Sequence, residues 1–164
     1  MALIDGFLQE LDAETPYTQR LLARVPNDKL TWRPHPKSRS LGVLAFHIAH
    51  LPAALAELAS KSDIQVFQLV DPVPTSTAEI VATLDESVAK AKHLLAGIDD
   101  TAMGAPWRML DGTKVLIEMP RRTLLRATMF NHWYHHRGQL TVYLRELDVP
   151  LPATYGPSAD EAFL

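Results

Sequence analysis

Two histidines four residues apart, His132 and His136, carry the clearest chemistry in this chain of 164 residues. Residues at i and i+4 stack one turn apart on one helix face, so both imidazoles can reach a single metal ion. They lie in the stretch Asn131-His132-Trp133-Tyr134-His135-His136-Arg137-Gly138-Gln139, inside a helix expected over about residues 121–147. On a wheel of about 100° per residue, Leu125, Thr128, Met129, Tyr143 and Leu147 define the inward stripe of that helix. His132 falls at its centre, with His136 about 40° to one side and Gln139 about 20° to the other. Arg137 points away from the stripe and His135 sits at its edge.

A third ligand has to come from another element. A second helix, expected over about residues 40–60, offers His47 and His50. Measured from its Leu44-Leu51-Leu55 stripe, His47 lies about 60° off and His50 about 120° off. His47 is therefore the better inward candidate, while His50 shares a more outward face with Ala53 and Glu57. A lone inward histidine is usually a core residue that has found a hydrogen bond. Two at i and i+4 facing a third are harder to explain so, because each buried imidazole has two nitrogens to satisfy. Three protein ligands would leave coordination positions open for water or a thiol, as catalytic sites require.

Other chemistries find little support. There is no cysteine, which removes disulfides, thiolate nucleophiles and Cys-type zinc sites together. No His-Glu-x-x-His, Gly-x-Ser-x-Gly, phosphate-binding loop or dinucleotide glycine fingerprint occurs. The last helix holds no Asp or Glu between the histidine pair and Glu146, and Glu57 reads as outward. Asp5, Glu14 and Asp85 are the acids that could enter the site from the first and third helices; Glu57, Glu79 and Asp85 otherwise read as solvated faces. His35 and His93 read as loop or surface residues.

The positioning elements follow from periodicity. A first helix over about residues 2–24 carries Leu3, Phe7, Leu11, Leu21 and Leu22 with a kink at Pro16. In the second, Ser40 is the N-cap, and Pro52 deprives the carbonyl of Ile48 of its donor, which implies a bend. A third helix over about 77–96 has a Ser76/Glu79 capping box and Gly97 at the C′ position. Residues 105–119 read as a hairpin with a type I′ turn at Asp111-Gly112. The sum is an all-α four-helix bundle in one domain over residues 1–164, with a small β-hairpin before the last helix. Phe46 and Leu144 fall outside the best stripes and read as surface positions, or as part of a contact with a second copy.

Charge and hydropathy narrow the partners. Lys and Arg number 16 against 19 Asp and Glu, a net charge of −3, and no Lys/Arg run exceeds Arg121-Arg122. That argues against nucleic acid. No basic segment precedes Asp5 and no uninterrupted apolar run approaches about 18 residues, so the expectation is a cytoplasmic protein without a membrane span.

The residues also carry a resemblance. Asn131-His132-x-x-x-His136-Arg137-Gly138-Gln139 resembles the last-helix signature of DinB-like, or YfiT-like, metalloenzymes. Leu30-x-Trp32-Arg33-Pro34, Ser40-Leu41-Gly42 and His47-Ile48-Ala49 resemble the same family's approach to its second helix, and Tyr155-Gly156-Pro157-Ser158-Ala159-Asp160 a C-terminal motif of one branch. The resemblance implies up-down-down-up helix order, a homodimer, and a divalent metal, nickel or zinc, held by His47, His132 and His136. It also implies a choice of activities, since relatives include S-transferases using bacillithiol or similar thiols, a mycothiol-dependent maleylpyruvate isomerase, and hydrolases. With no carboxylate beside the histidines, metal-dependent transfer of a low-molecular-weight thiol to a small electrophile is favoured over hydrolysis. A non-catalytic metal-binding stress-response protein is the further alternative. Gln139 is then a group that orients a ligand or touches substrate, and the hairpin and the tail around Tyr155 are expected to cover the mouth of the site.

Overall fold

A computed structural model describes residues 2–67 and 71–162. The protein is mostly helical with a small three-stranded sheet. In chain order the elements are α1 (Leu3–Leu22), a 3-10 turn (Asn27–Lys29), α2 (Leu41–Ser60), β1 (Asp63–Gln65), α3 (Thr77–Leu95) and α4 (Asp100–Gly104), then β2 (Pro106–Asp111), β3 (Lys114–Pro120), α5 (Arg121–Leu124), a π-helical segment (Leu125–Asn131) and α6 (His132–Glu146). α2 packs most extensively on α3, α1 lies against α3 and α6, and α6 closes against α2. The core between them is built from side chains such as Leu11, Leu22, Leu44, Ile48, Leu84, Leu95, Phe130 and Trp133.

Local chemistry sets the helix starts. Ser40 Oγ accepts from the Val43 N–H at 3.4 Å and Ser76 Oγ from the Glu79 N–H at 3.1 Å. The Glu79 carboxylate takes the Thr75 N–H and hydroxyl, each at 2.7 Å. Gly42 matters because the 31–40 loop folds back on α2: a Cβ there would sit 3.0 Å from the Leu30 carbonyl oxygen. Gly97 follows the C-cap Ala96, but it does not use the left-handed conformation that favours glycine at that position. Instead Asp148, at φ 56°, closes α6, with the Val149 N–H returning to the Leu144 carbonyl at 3.0 Å.

The hairpin falls where expected, with two differences. Asp111 pairs with Lys114, so the turn residues are Gly112-Thr113, and only Gly112 has positive φ, at +59°. That is the pattern of a II′ turn, which needs glycine only at its first central position. The other difference is β1, which joins β2 in parallel and was too short to register as a strand. α4, a five-residue helix capped by Asp99, was missed for the same reason. The buried Arg121 guanidinium donates to the carbonyls of Ala59 at 2.5 Å, Lys61 at 3.1 Å and Ala102, fastening the C-terminal ends of α2 and α4.

α2 is long and apolar enough to cross a membrane by length and composition alone, with a mean hydropathy of 1.5, although His47, His50 and Glu57 interrupt its apolar run. Most of that surface is buried in the protein's own core.

Pro52 inside α2 has no N–H to give the Ile48 carbonyl. The indole Nε1–H of Trp133 supplies it, at 2.9 Å and fully buried. The Ala53 N–H turns to Ser87 Oγ at 2.9 Å, and that hydroxyl donates to the His50 carbonyl at 3.1 Å. The proline break is therefore stitched by α6 on one side and α3 on the other.

The last helix departs from the ideal wheel. Its buried residues are Leu124, Leu125, Met129 and Phe130, and then Trp133, Arg137, Leu140 and Leu144. Beyond the π-helical segment, each buried position lies one residue later than the wheel places it. A π segment adds one residue to a turn, which rotates all that follows by about 100°. Hence Arg137, expected to point away, is buried, and Leu144, expected at the surface, is in the core. His132 and His136 move from the middle of the core stripe to its half-buried flank.

Replacing Trp133 with Phe keeps the ring but leaves the Ile48 carbonyl buried without a donor. Urea unfolding of Trp133→Phe is expected to show a loss of about 1–3 kcal/mol.

Candidate metal centre

α2 contributes His47 and α6 contributes His132 and His136; one ring nitrogen from each lies within 4.8 Å of the others. His50, His135, His35 and His93 stand outside this cluster. The Nε2 atoms of His132 and His136 are 2.6 Å apart, and Nε2 of His47 is buried with no hydrogen-bond partner.

The other ring nitrogens explain why. Nδ1 of His47 faces the Asp71 carboxylate at 3.1 Å from Oδ1 and 2.9 Å from Oδ2. Nδ1 of His136 is 2.7 Å from Gln139 Oε1, and His132 hydrogen-bonds the backbone of Thr128. An Nδ1 that donates its proton to an oxygen leaves Nε2 as a lone pair. Three lone pairs aimed at one point have no mutual hydrogen bond to make. They fit a cation, and imidazole with a hydrogen-bonded second nitrogen is the usual form of a metal-binding histidine. The residues present can thus hold a divalent ion.

Electrostatics agree. Burial lowers the His136 pKa from 6.5 to about 4, helped by the charges of His132, His47 and His135 and opposed by the Gln139 hydrogen bond. Burial, with the charges of His47, His135 and Arg39, also lowers that of His132. Burial works to raise the Asp71 pKa, but the His47 hydrogen bond and the charges of His47, Arg39 and His50 hold it below the usual carboxylate range. Asp71 is 3% exposed, and Arg39 lies 3.2 Å from its Oδ2.

Asp71 escaped the sequence reading because it follows no helical period and stands in a connection punctuated by Pro72 and Pro74. The acids considered instead are elsewhere. Asp5 accepts from the Ala2 N–H, Glu14 pairs with Arg137 at 2.7 Å, and Asp85 accepts from Gln19. Arg137 also donates to Thr18 and to Tyr155, and lies over the Trp133, Tyr134 and Tyr155 rings. This network ties α6 to α1 and to the C-terminal tail.

A pocket of about 200 Å3 abuts the cluster. His47 and His132 meet Leu51, Ala54, Leu55, Leu58 and Phe67 there, with His50 and Glu57 completing the lining. His50 is therefore half-buried at the pocket rather than outward. Glu57, expected to be solvated, lines the pocket while pairing with Lys90. Neither the hairpin nor Tyr155 contributes to the lining; Tyr155 is held by Glu14 and Arg137 instead.

The DinB family model matches residues 3–162. The chain belongs to the DinB family. A DinB-like protein of Bacillus cereus ATCC 10987 superposes with a TM-score of 0.73 at 28% identity, covering 92% of this chain and 97% of that one. A second DinB-like structure, YjoA of Bacillus subtilis, has a TM-score of 0.71 at 18% identity, covering 97% and 99%, and shows the shared fold. Among curated proteins, the uncharacterized YrdA of Bacillus subtilis strain 168 is 28% identical, over 96% of this chain and 91% of its own length.

Alanine at His47, His132 or His136 is expected to abolish stoichiometric zinc or nickel binding in titration calorimetry, and alanine at His50 or His135 to retain it. Asp71→Asn, which keeps the shape but loses the charge, should weaken binding by about 10–100-fold. The pH dependence has a definite sign. Depressed imidazole pKa values mean that the unfolded chain binds more protons, so the metal-free protein loses stability as pH falls from the ordinary histidine range toward about 4. Metal affinity falls in the same direction, since protons compete for the same lone pairs. Thermal melts and metal titrations across this range read both.

Proposed function

We propose that this DinB-family protein binds a divalent metal, nickel or zinc, through Nε2 of His47, His132 and His136, and transfers a low-molecular-weight thiol to a small apolar electrophile. The observation that carries the reading is the convergence of three Nε2 atoms whose ring partners are already committed. A bound divalent ion supplies Lewis acidity, lowering the pKa of a thiol or water beside it. The protein's own groups do the rest. Asp71 and Gln139 hold His47 and His136 in the ligating orientation. The apolar wall of Leu51, Ala54, Leu55, Leu58 and Phe67 receives the organic electrophile and keeps water from it.

Transfer is favoured over hydrolysis because the carboxylate in contact with the cluster is not free. Both Asp71 oxygens face His47 Nδ1, and Arg39 lies against one of them. A thiol needs less help than water from a general base. One observation favours the second reading, metal-dependent hydrolysis: Glu57 lines the same pocket and could accept a proton from water. The proposal includes an up-down-down-up four-helix order made by α1, α2, α3 and the rod from α5 to α6, and a cytoplasmic homodimer.

The test is a paired assay on metal-loaded protein. One arm follows thiol consumption with chlorodinitrobenzene; the other follows ester and amide hydrolysis without thiol. The expected result is metal-dependent turnover in the first arm, lost in His136→Ala and kept in Glu57→Gln. Turnover confined to the second arm and lost in Glu57→Gln would establish the hydrolase instead.

A further inference from the structure

The loop that leads into α2 has an uneven charge distribution. Between Asp28 and Glu57 the sequence has no acid, but it holds Lys29, Arg33, Lys37 and Arg39, in a protein whose net charge is −3. The loop is held firmly. The Leu41 N–H donates to the Trp32 carbonyl at 2.8 Å and the Gly42 N–H to the Leu30 carbonyl at 2.9 Å. Trp32 meets Tyr143 of α6 edge-on at 5.8 Å, and the Tyr143 hydroxyl reaches the Arg39 carbonyl at 3.4 Å. A basic loop is thereby pinned at the end of α2 that carries His47.

Its last cation, Arg39, touches the histidine cluster through Asp71. The Arg39 side chain is 40% exposed, and its ion pair engages Nη1 with Asp71 Oδ2 at 3.2 Å. An arginine has five N–H donors in a fork suited to carboxylates, and this pair with Asp71 engages one of its terminal nitrogens. Asp71 is also held by His47, which both carboxylate oxygens face, so Arg39 is not its sole partner.

The charges point the same way. Three neutral imidazoles leave a divalent ion uncompensated, and Arg39 cancels Asp71. Two positive charges remain, of which a thiolate would neutralise one. The pocket on the other side of the cluster, lined by α2 and Phe67, has no Lys or Arg in its walls. A second negative charge on a ligand would therefore be met on the loop side.

We propose that Arg39, supported by the exposed Arg33 and Lys37, forms an anion subsite that recognises a carboxylate on the co-substrate, beside an apolar pocket for the neutral partner. The inference rests on the thiol-transfer reading for the identity of the co-substrate, but not for the existence of the subsite. A carboxylate could belong to the thiol or to the electrophile, and the apolar pocket favours the thiol.

The experiment uses the full chain loaded with cobalt(II), whose thiolate absorption band reports binding without turnover. Mercaptosuccinate, which has two carboxylates, is titrated against neutral 2-mercaptoethanol. Wild type is expected to prefer mercaptosuccinate by about 10-fold or more, the size of a charge-assisted hydrogen-bond pair. Arg39→Gln should bring the ratio to near one while binding one cobalt ion and 2-mercaptoethanol as before. Arg39→Lys should keep part of the preference, and the Arg33→Gln/Lys37→Gln pair should reduce it, which covers the case in which Arg39→Gln disturbs Asp71. Equal affinities in wild type, or a preference that survives in Arg39→Gln, overturns the subsite. An Arg39-dependent preference for succinate itself, with no thiol turnover in the paired assay, supports the subsite and rejects the transferase reading. A preference for 4-chloro-3-nitrobenzoate over chlorodinitrobenzene that depends on Arg39, with none between the thiols, overturns the assignment of the carboxylate to the thiol.

Discussion

The hydrogen bond from the Trp133 indole to the Ile48 carbonyl is the constraint on which the rest of the molecule turns. Pro52 breaks the backbone ladder of the most buried helix, and a freed carbonyl in an apolar core costs free energy until something donates to it. Only a group from a neighbouring helix can do so, and the donor sits next to His132 in sequence. The acceptor follows His47 directly. Satisfying one orphaned carbonyl therefore fixes α6 against α2 at the level where their histidines meet. Ser87 completes the repair from α3, so three helices are locked in register by the consequences of one proline.

The π-helical segment just before Trp133 serves the same end from within the last helix. One extra residue in the turn lets two faces of a single helix do different work. Before it and after it, apolar residues face the core; after it, the histidines are carried to the flank. A regular helix would set His132 and His136 in the middle of the core stripe, where no ligand could approach. The displaced histidines border an apolar pocket and remain half-buried, which is what both desolvation and access demand. Arg137 comes inward in exchange, and its charge is answered by Glu14 and by three aromatic rings.

Around the histidines, three different acceptors do one job. A carboxylate faces Nδ1 of His47, a side-chain amide oxygen faces Nδ1 of His136 and the Thr128 backbone meets His132, and a proton held at these contacts leaves each second nitrogen free to ligate. Burial favours the neutral form of His132 and His136 by penalising the protonated one. The site is preorganised to accept a cation, and its surroundings divide by character: apolar on the α2 side and basic on the loop side.

The sequence by itself determined the helix spans, because apolar periodicity and capping residues are local signals that each segment carries alone. It also showed that His132, His136 and Gln139 share one face, since i+3 and i+4 spacings on one helix survive a rotation of the whole face, and the wheel of α2 singled out His47 over His50 as the histidine turned toward them. The break at Pro52 was legible too, as a missing donor. What repaired that break was not, because Trp133 is distant in the chain and its indole can serve any acceptor. Nor was the phase slip after Met129: a π turn forms where packing on α2 and α1 outweighs the regular ladder, and no residue type announces it. Asp71 and Arg39 belong to segments without period, and chain topology alone brings them to His47. The sequence thus specified which imidazoles could come together, through local geometry, and the tertiary structure decided which groups orient them and charge their surroundings, through long-range packing.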